Sequence, residues 1–186
     1  MFEDCNASYG DIVDLIKGKN IVAIFQGRTE AGPRALGNRS ILYDPRDPGA
    51  QKFVNHVKGR EWWRPFAATV LLEHAHDWFE MLTLKESPFM MYSIPVKEDK
   101  KKYIPGVLHV DDTCRIQTVT DKQNYHFYKL IECFYKETDI PMLFNTSFNL
   151  AGDVICHTLD HALQTLASSE INYLYLPEED KLIQKK

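Results

Sequence analysis

Residues 27–40 combine arginines with glycines and a proline in one short segment, whose arginines are Arg28, Arg34 and Arg39. Glycine lets a backbone approach a ligand closely, and the guanidinium group forms paired hydrogen bonds with phosphate and carboxylate. The segment is therefore interpreted as a phosphate-binding loop. Composition alone leaves one alternative open, a solvated turn whose arginines pair with nearby carboxylates.

The charge distribution favours the anion site over the solvated turn. Between residues 27 and 64 there are eight basic and four acidic residues, which gives +4, whereas the formal net charge of the whole chain is −4 and the remainder therefore carries −8. The basic residues are Arg28, Arg34, Arg39, Arg46, Lys52, Lys58, Arg60 and Arg64. Such a local excess of positive charge on an acidic protein indicates one anionic ligand and argues against a general nucleic-acid surface.

The composition is that of a folded globular protein. The chain has 186 residues, of which 44% are hydrophobic and 12% aromatic, so it can bury a sizeable core as one domain. No apolar run is long enough to span a bilayer, and the acidic N-terminus is unlike a signal peptide. The sequence therefore predicts a cytoplasmic protein without a membrane partner.

Cysteine and histidine spacing predicts no metal site. The cysteines lie far apart without a CxxC pair, and they are interpreted as reduced thiols; they are Cys5, Cys114, Cys133 and Cys156. His74 and His76 are close in sequence, but ordinary surface or core histidines are the favoured interpretation because a metal site needs more ligands at suitable spacing.

Apolar periodicity predicts alternating strands and helices, and hence an α/β fold with a largely mixed sheet. Predicted helices cover residues 9–17, 48–58, 74–82 and 123–138, and one more follows Thr158. Predicted strands cover residues 21–25, 40–43, 66–72, 90–96, 141–144 and 173–176, and the alternation at the end of residues 109–119 predicts another. Ser8 and Asp47 are the predicted caps of the first two helices. The charge run at residues 97–102 is predicted to be a solvated loop.

Two further segments carry groups that could bind an anion. Lys58, Arg60 and Arg64 lie at or just beyond a predicted helix end, beside two tryptophans. A cation at a helix C-terminus also interacts favourably with the negative end of the helix dipole, but one lysine would be enough for that interaction. The second segment, residues 145–149, presents small hydroxyl and amide side chains directly after a predicted strand.

Four blocks, residues 27–40, 58–67, 109–119 and 144–149, together resemble the C-terminal domain of the O-carbamoyltransferases of the NodU/CmcH type. The resemblance covers nearly the whole chain. It implies a YrdC-like domain at residues 1–186, with a twisted, largely mixed sheet flanked by helices. In the full-length proteins of this family an actin-like-fold transfer domain, which carries a metal, precedes it. That domain is absent from this sequence, which leaves three alternatives open: a fragment of a longer protein, a free-standing half that works with a separate transfer domain or subunit, or a domain retained for another use.

The resemblance also implies an activity. The family domain binds ATP and carbamoyl phosphate and forms carbamoyl-adenylate with release of pyrophosphate. By its motifs, Lys58 and Arg64 face phosphate, and Arg115 is a further anion contact. Ser147 and Asn149 bind the nucleotide, and the same family signatures include Arg60 and the arginines Arg28, Arg34 and Arg39. Mg²⁺ is implied as the counter-ion of the polyphosphate, although the sequence shows no dedicated carboxylate cage.

Two positions depart from the family pattern. Asp112 stands where the family often has glycine, and Ala68 stands where it usually has proline. We therefore expect the loop at residues 109–113 to differ in shape.

Two other functions remain open at this point. One is a threonylcarbamoyl-adenylate synthase-like enzyme, and the other is a non-catalytic nucleotide-binding or assembly module whose chemistry needs the missing domain.

Overall fold

The computed structural model describes residues 2–186, which form a nine-stranded sheet with helices packed against it. The strands are β1 (Phe2–Asn6), β2 (Val22–Phe25), β3 (Arg39–Tyr43), β4 (Ala67–Leu71), β5 (Ser93–Pro95), β6 (Thr113–Val119), β7 (Met142–Ser147), β8 (Tyr173–Leu176) and β9 (Lys181–Lys185). The helices are α1 (Tyr9–Lys17), α2 (Ala50–Val57), α3 (Leu72–Trp78), α4 (Tyr125–Thr138) and α5 (Leu159–Ala167).

The sheet is mixed, as the sequence predicted. Its strand order is β1-β9-β8-β2-β3-β7-β4-β6-β5. The pairs β2–β8 and β4–β6 are parallel, and the other pairs are antiparallel. β3 and β7 are central neighbours, with Ser40 opposite Ser147. This pairing places the loop that precedes β3 beside the end of β7, and both are predicted ligand-binding segments.

Buried apolar residues on the central strands and on α1 and α4 form the core. β3 and β4 are buried along their whole length. The sequence of β4 is a nearly continuous apolar run, whereas β3 begins with the buried polar residues Arg39 and Ser40. On α4, Phe127 and Phe134 are fully buried. At the start of α1, Ser8 and Asp11 form the predicted capping box. The core therefore supports the centre of the sheet, from which the ligand-binding segments extend.

Several predicted boundaries were wrong for local reasons. Helix α2 starts at Ala50, and its N-cap is Gly49 without a side-chain cap. Asp47 instead accepts hydrogen bonds from the Gly49 amide at 2.9 Å and from the Tyr43 hydroxyl at 2.8 Å. Helix α3 ends at Trp78 because Phe79 is extended and forms an isolated bridge with Val96.

The strand predicted at residues 90–96 is shorter in the structure, because Met90 has a φ of 53° and β5 begins only at Ser93. The charge run at residues 97–102 is not wholly a loop, since a 3₁₀ turn begins at Lys101. The edge strand β1 and its neighbour β9 were not predicted from the sequence.

Asp112 adopts the backbone conformation that glycine favours. Its φ is 62°, in the left-handed region that aspartate tolerates better than most residues. Its carboxylate accepts a hydrogen bond from Lys101 at 3.0 Å. The loop at residues 109–113 thus keeps a glycine-type turn, and the substitution by itself does not require the different shape that we expected.

Candidate functional site

Three adjoining cavities meet at the end of β7. Ser147 lines all three, and they are bounded by the end of α2, by the glycine-arginine loop and by the segment after β7. We call them the large cavity (about 550 Å³), the arginine cavity (about 140 Å³) and the loop cavity (about 390 Å³). Segments that are distant in sequence therefore converge on one concave surface.

Cations line the large cavity. Arg60 is half-buried, donates through Nε to the side-chain oxygen of Asn55 at 2.5 Å and stacks on Phe66, with 4.3 Å from Cζ to the ring centroid. Burial, and then the neighbouring Arg64, lower the pKa of Arg60 to about 10. Arg64 is exposed and pairs with Glu61 at 2.6 Å. The anchored Arg60 and the solvent-facing Arg64 can both contact an anion in this cavity.

Lys58 also lines the large cavity, but oxygens of the protein surround its ammonium. The residue is 2% exposed. Its Nζ donates to the main-chain carbonyls of Ser147 (2.5 Å) and Asn149 (2.7 Å) and to the side-chain oxygen of Asn149 (3.1 Å). Burial lowers the pKa of Lys58 to about 7. The contacts place Lys58 under the turn at residues 147–149, where it fixes the backbone that presents Ser147.

The hydroxyl of Ser147 donates to the side-chain oxygen of Asn149 at 2.6 Å. The amide nitrogen of Asn149 in turn donates to the carbonyl of Asp153 at 2.7 Å. The two predicted nucleotide-binding residues thus form one hydrogen-bonded unit. They line both the large cavity and the loop cavity.

The arginine cavity brings three guanidinium groups together. Arg34, Arg60 and Arg115 line it, together with Asn145 and Ser147. Burial, and then the charge of Arg34, lower the pKa of Arg115. Among residues 2–186, the Nε atom of Arg34 finds no hydrogen-bond partner although it is buried. Guanidinium groups held this close, together with an N–H donor that has no partner, favour the binding of a small anion between them.

The loop cavity is lined mainly by apolar and neutral groups. Its walls include Pro33, Val154, Ile155 and His157. Arg34 lines both this cavity and the arginine cavity. Such walls suit an aromatic or sugar group better than a phosphate.

The three arginines of the glycine-arginine loop have different environments. Arg34 reaches two cavities, as described. Arg39 is buried, stacks over Phe25 at 3.6 Å and donates to the carbonyls of Gln26, Asn38 and Cys156. Arg28 is exposed and lines none of the three cavities. Arg39 thus holds the backbone in place, and in this structure only Arg34 of the three is positioned to contact a ligand.

The structure therefore groups most of the predicted site residues and separates two. Those brought together are Lys58, Arg60, Arg64, Arg115, Ser147, Asn149 and Arg34. Asn145, which the sequence placed in the polar segment 145–149 without a specific role, lines the arginine cavity, and its side-chain amide donates to the Thr69 hydroxyl at 2.9 Å. Sequence reasoning missed Glu30, whose carboxylate accepts three backbone N–H bonds within the glycine-arginine loop. No sequence signal distinguishes that carboxylate from a surface glutamate.

The donor set does not fit a protein-held metal. Across residues 2–186 there is no group of three or more histidine, cysteine, aspartate or glutamate side chains that could hold an ion. In the large cavity Glu61 is engaged with Arg64. A Mg²⁺ ion at this site would thus be bound by ligand oxygens and water.

The family model for the carbamoyltransferase C-terminus matches residues 13–185. The chain belongs to this family. Nodulation protein NolNO of Sinorhizobium fredii is 40% identical over 174 residues, which cover 92% of this chain and 26% of that protein. Nodulation protein U of Rhizobium tropici is 35% identical over 151 residues, covering 81% of this chain and 26% of that protein. The chain spans about a quarter of the length of these curated relatives.

Two solved structures share the fold. Full-length HypF in its phosphate- and nucleotide-bound form has a TM-score of 0.59 at 19% identity, over 90% of this chain and 21% of that chain. P. abyssi Sua5 complexed with L-threonine has a TM-score of 0.57 at 18% identity, over 84% of this chain and 43% of that chain. Both similarities are to YrdC-like domains, so the predicted YrdC-like fold is confirmed.

Among the helices formed by residues 2–186, none has the length and apolar character required to cross a membrane.

Proposed function

We propose that this carbamoyltransferase C-terminal domain activates carbamoyl phosphate with ATP to give carbamoyl-adenylate. The proposal rests on one observation above the others. Three cavities of different chemistry meet at Ser147, and two of them are each lined by at least two arginines. A nucleoside triphosphate and a small second anion need such a set of adjoining sites.

Each cavity suits one part of the substrates. The arginine cavity has the volume of a small anion and three guanidinium groups, so we assign carbamoyl phosphate, and the carbamate derived from it, to this cavity. The large cavity, with Arg60 and Arg64, takes the triphosphate. The loop cavity, with its apolar walls, takes the nucleoside. Because Ser147 lines all three, the α-phosphorus would lie near its hydroxyl and close to the small anion.

The reaction balances with water as the only additional reactant. Carbamoyl phosphate and water give carbamate, inorganic phosphate and a proton. A carbamate oxygen then attacks the α-phosphorus of ATP, and the bond from that phosphorus to the oxygen bridging to the β-phosphorus breaks. Pyrophosphate leaves with the electron pair of that bond. The transition state needs no side-chain nucleophile, but it does need fixed positive charge and close positioning.

This chain would supply that positioning mainly through four groups. Arg34 and Arg115 hold the small anion from two sides, and Arg60, already fixed by Asn55 and Phe66, bridges the arginine and large cavities. Lys58 keeps the turn at residues 147–149 in shape. Each charge-assisted bond to the anions is worth about 1.5 to 3 kcal/mol.

The transfer of the carbamoyl group to an acceptor hydroxyl is assigned to a separate domain or subunit. The relatives are more than three times as long as this chain, which supports a second functional part. Mg²⁺ would accompany the triphosphate as its counter-ion. We place this activity in the cytoplasm, where ATP is available.

Incubation of the purified chain with ATP, Mg²⁺ and carbamoyl phosphate tests the proposal. Pyrophosphate release that depends on carbamoyl phosphate is expected, and it should be lost in Arg60→Ala. Threonine with bicarbonate in place of carbamoyl phosphate should release none, because three guanidiniums in the arginine cavity favour a multiply charged anion over a zwitterion.

Two results would contradict the proposal. Release with threonine and bicarbonate alone would indicate a threonylcarbamoyl-adenylate synthase. Protection by ATP against thermal unfolding without any release would indicate a nucleotide-binding module that is inactive by itself.

A further inference from the structure

The carboxylate of Glu30 ties together the two ends of the loop that carries Arg34. One carboxylate oxygen accepts the backbone N–H groups of Leu36 at 2.8 Å and Asn38 at 2.9 Å, and the other accepts that of Arg39 at 3.2 Å. Burial raises the pKa of Glu30, although these three N–H groups and the charge of Arg39 oppose the shift. A glutamate therefore fills the anion-binding concavity that this loop forms with its own backbone.

Other contacts hold the far end of the same loop. The Arg39 guanidinium donates to the carbonyls of Gln26 and Asn38, and the side chain of Gln26 donates to the carbonyl of Gly37 at 2.8 Å. Gly37 itself has a φ of 110° and lies against the ring of Phe127, where no side chain would fit. Residues 30–39 are thus fixed from both ends, with Arg34 in the middle.

The position of Arg34 requires such an anchor. Its guanidinium lies in the arginine cavity, close enough to Arg115 to lower the pKa of that residue. Without an anion between them, the two like charges repel, and a loose loop would relax by moving Arg34 into water. The buried Nε atom of Arg34, which has no partner within residues 2–186, is a second cost of this position.

We propose that Glu30 is a positioning residue, which acts through the loop backbone to hold Arg34 at the arginine cavity before the anion binds. Glu30 also lines the loop cavity, but its two oxygens are already engaged by three N–H donors, so its role is in the loop and not on the ligand. Only the identity of the anion rests on the proposed function. The anchoring itself does not.

Glu30→Gln is the variant that tests this role, and Glu178→Gln is its matched control. In Glu30→Gln the amide oxygen of the new side chain can still accept from Leu36 and Asn38, whereas its NH₂ group cannot accept from Arg39. Glu178 accepts the N–H of Gly27 at 2.9 Å, and its charge acts on Arg39 as the charge of Glu30 does. The control therefore removes a comparable carboxylate charge at the base of the loop, but Glu178 accepts no backbone N–H of residues 36, 38 or 39.

The first measurement is made by NMR without any ligand. In Glu30→Gln we expect hydrogen exchange at the amide of Arg39 to accelerate about tenfold or more, because this N–H loses its side-chain acceptor. The Nε–H resonance of Arg34 should broaden or move to the position of a solvent-exposed arginine. In Glu178→Gln the amide exchange rates and the Arg34 Nε–H resonance should stay as in the wild type. An Arg34 resonance unchanged by Glu30→Gln would overturn the proposal, even if the amide of Arg39 exchanges faster.

The second measurement is a double-mutant cycle with inorganic phosphate as the probe. Arg34→Ala and Glu30→Gln should each weaken phosphate binding about tenfold, and the double variant should bind like Arg34→Ala alone, because Glu30 acts through Arg34. Additive losses would overturn the positioning role. If the wild type binds no phosphate, the proposed function fails on that result, and the resonance of Arg34 still decides the role of Glu30.

Discussion

The ammonium of Lys58 contacts Asn149 twice, at 2.7 Å from its main-chain carbonyl and at 3.1 Å from its side-chain oxygen. A third bond goes to the carbonyl of Ser147. The backbone adds a hydrogen bond in the opposite direction, in which the amide of Ala151 donates to the carbonyl of Lys58 at 2.8 Å. Lys58 is therefore part of the framework of the site, in a position where the family resemblance implies a phosphate contact.

Replacing Lys58 by methionine should destabilise the free protein. The change removes the donor for three oxygens in a buried place, so we expect the free energy of unfolding to fall by about 3 kcal/mol. Urea unfolding measures the loss. Lys52→Met is the control, because Lys52 is exposed on α2, the helix that ends at Lys58, and it should change the stability by less than about 0.5 kcal/mol. Equal stability of both variants and the wild type would mean that Lys58 is free for a ligand.

The stability should also depend on pH through Lys58. Its folded pKa is about 7 and its ordinary value is 10.5, so between these values the unfolded chain binds more protons than the folded one. The free energy of unfolding therefore rises with pH across this window, by up to about 1.4 kcal/mol per pH unit, and the contribution is lost as the pH falls through 7.

The difference between wild type and Lys58→Met, measured by urea unfolding at pH 7.0 and 9.5, isolates this effect. Arg60 does not interfere, because its pKa of about 10 places its own effect at higher pH. A difference that does not change with pH would mean that the three oxygens keep Lys58 protonated throughout.

The centre of the fold could be predicted from the sequence, and the edges could not. β2 and β4 are nearly continuous apolar runs that the structure buries almost completely, so these runs identify them without any partner. β1 and β9 lie together at one edge of the sheet, where Glu3 pairs with Gln184 and most side chains are at least partly exposed. Their polar composition is that of loops, and they become strands by pairing with each other and, in the case of β9, also with β8.

For the candidate site, residue types could be predicted but their orientations could not. Arg34 and Arg39 are equivalent in the sequence, yet one lines two cavities and the other is buried among backbone carbonyls. Arg39 is buried because its guanidinium donates to three main-chain carbonyls. One of them, the carbonyl of Cys156 at 3.1 Å, is far away in the sequence. Pattern reasoning contains no information on such carbonyls, because every residue has one.

Arg115→Ala should weaken anion binding without destabilising the free protein. Its removal takes away one charged donor of the arginine cavity and relieves repulsion with Arg34. We expect the affinity for carbamoyl phosphate to fall about tenfold, while the melting temperature without ligand stays equal or rises slightly. Thermal unfolding with and without carbamoyl phosphate measures both quantities. Lys122→Ala, an exposed cation outside the cavities, should leave the ligand-induced shift intact. An unchanged shift in Arg115→Ala would exclude the arginine cavity as the anion site.

Gly37→Ala should destabilise the protein and disorder the loop that carries Arg34. A Cβ at this position would lie 2.2 Å from a ring carbon of Phe127, and the φ of 110° is strained for alanine. Because α4 is part of the core, the ring cannot easily move, and we expect the free energy of unfolding, measured in urea, to fall by about 2 to 4 kcal/mol.

Gly10→Ala is the matched control: Gly10 lies in α1 with its nearest neighbour at 3.6 Å, so alanine should stabilise that helix by up to about 1 kcal/mol. A Gly37→Ala variant as stable as the wild type would show that residues 36–38 are not held against α4, and the preorganised position of Arg34 would lose its structural basis.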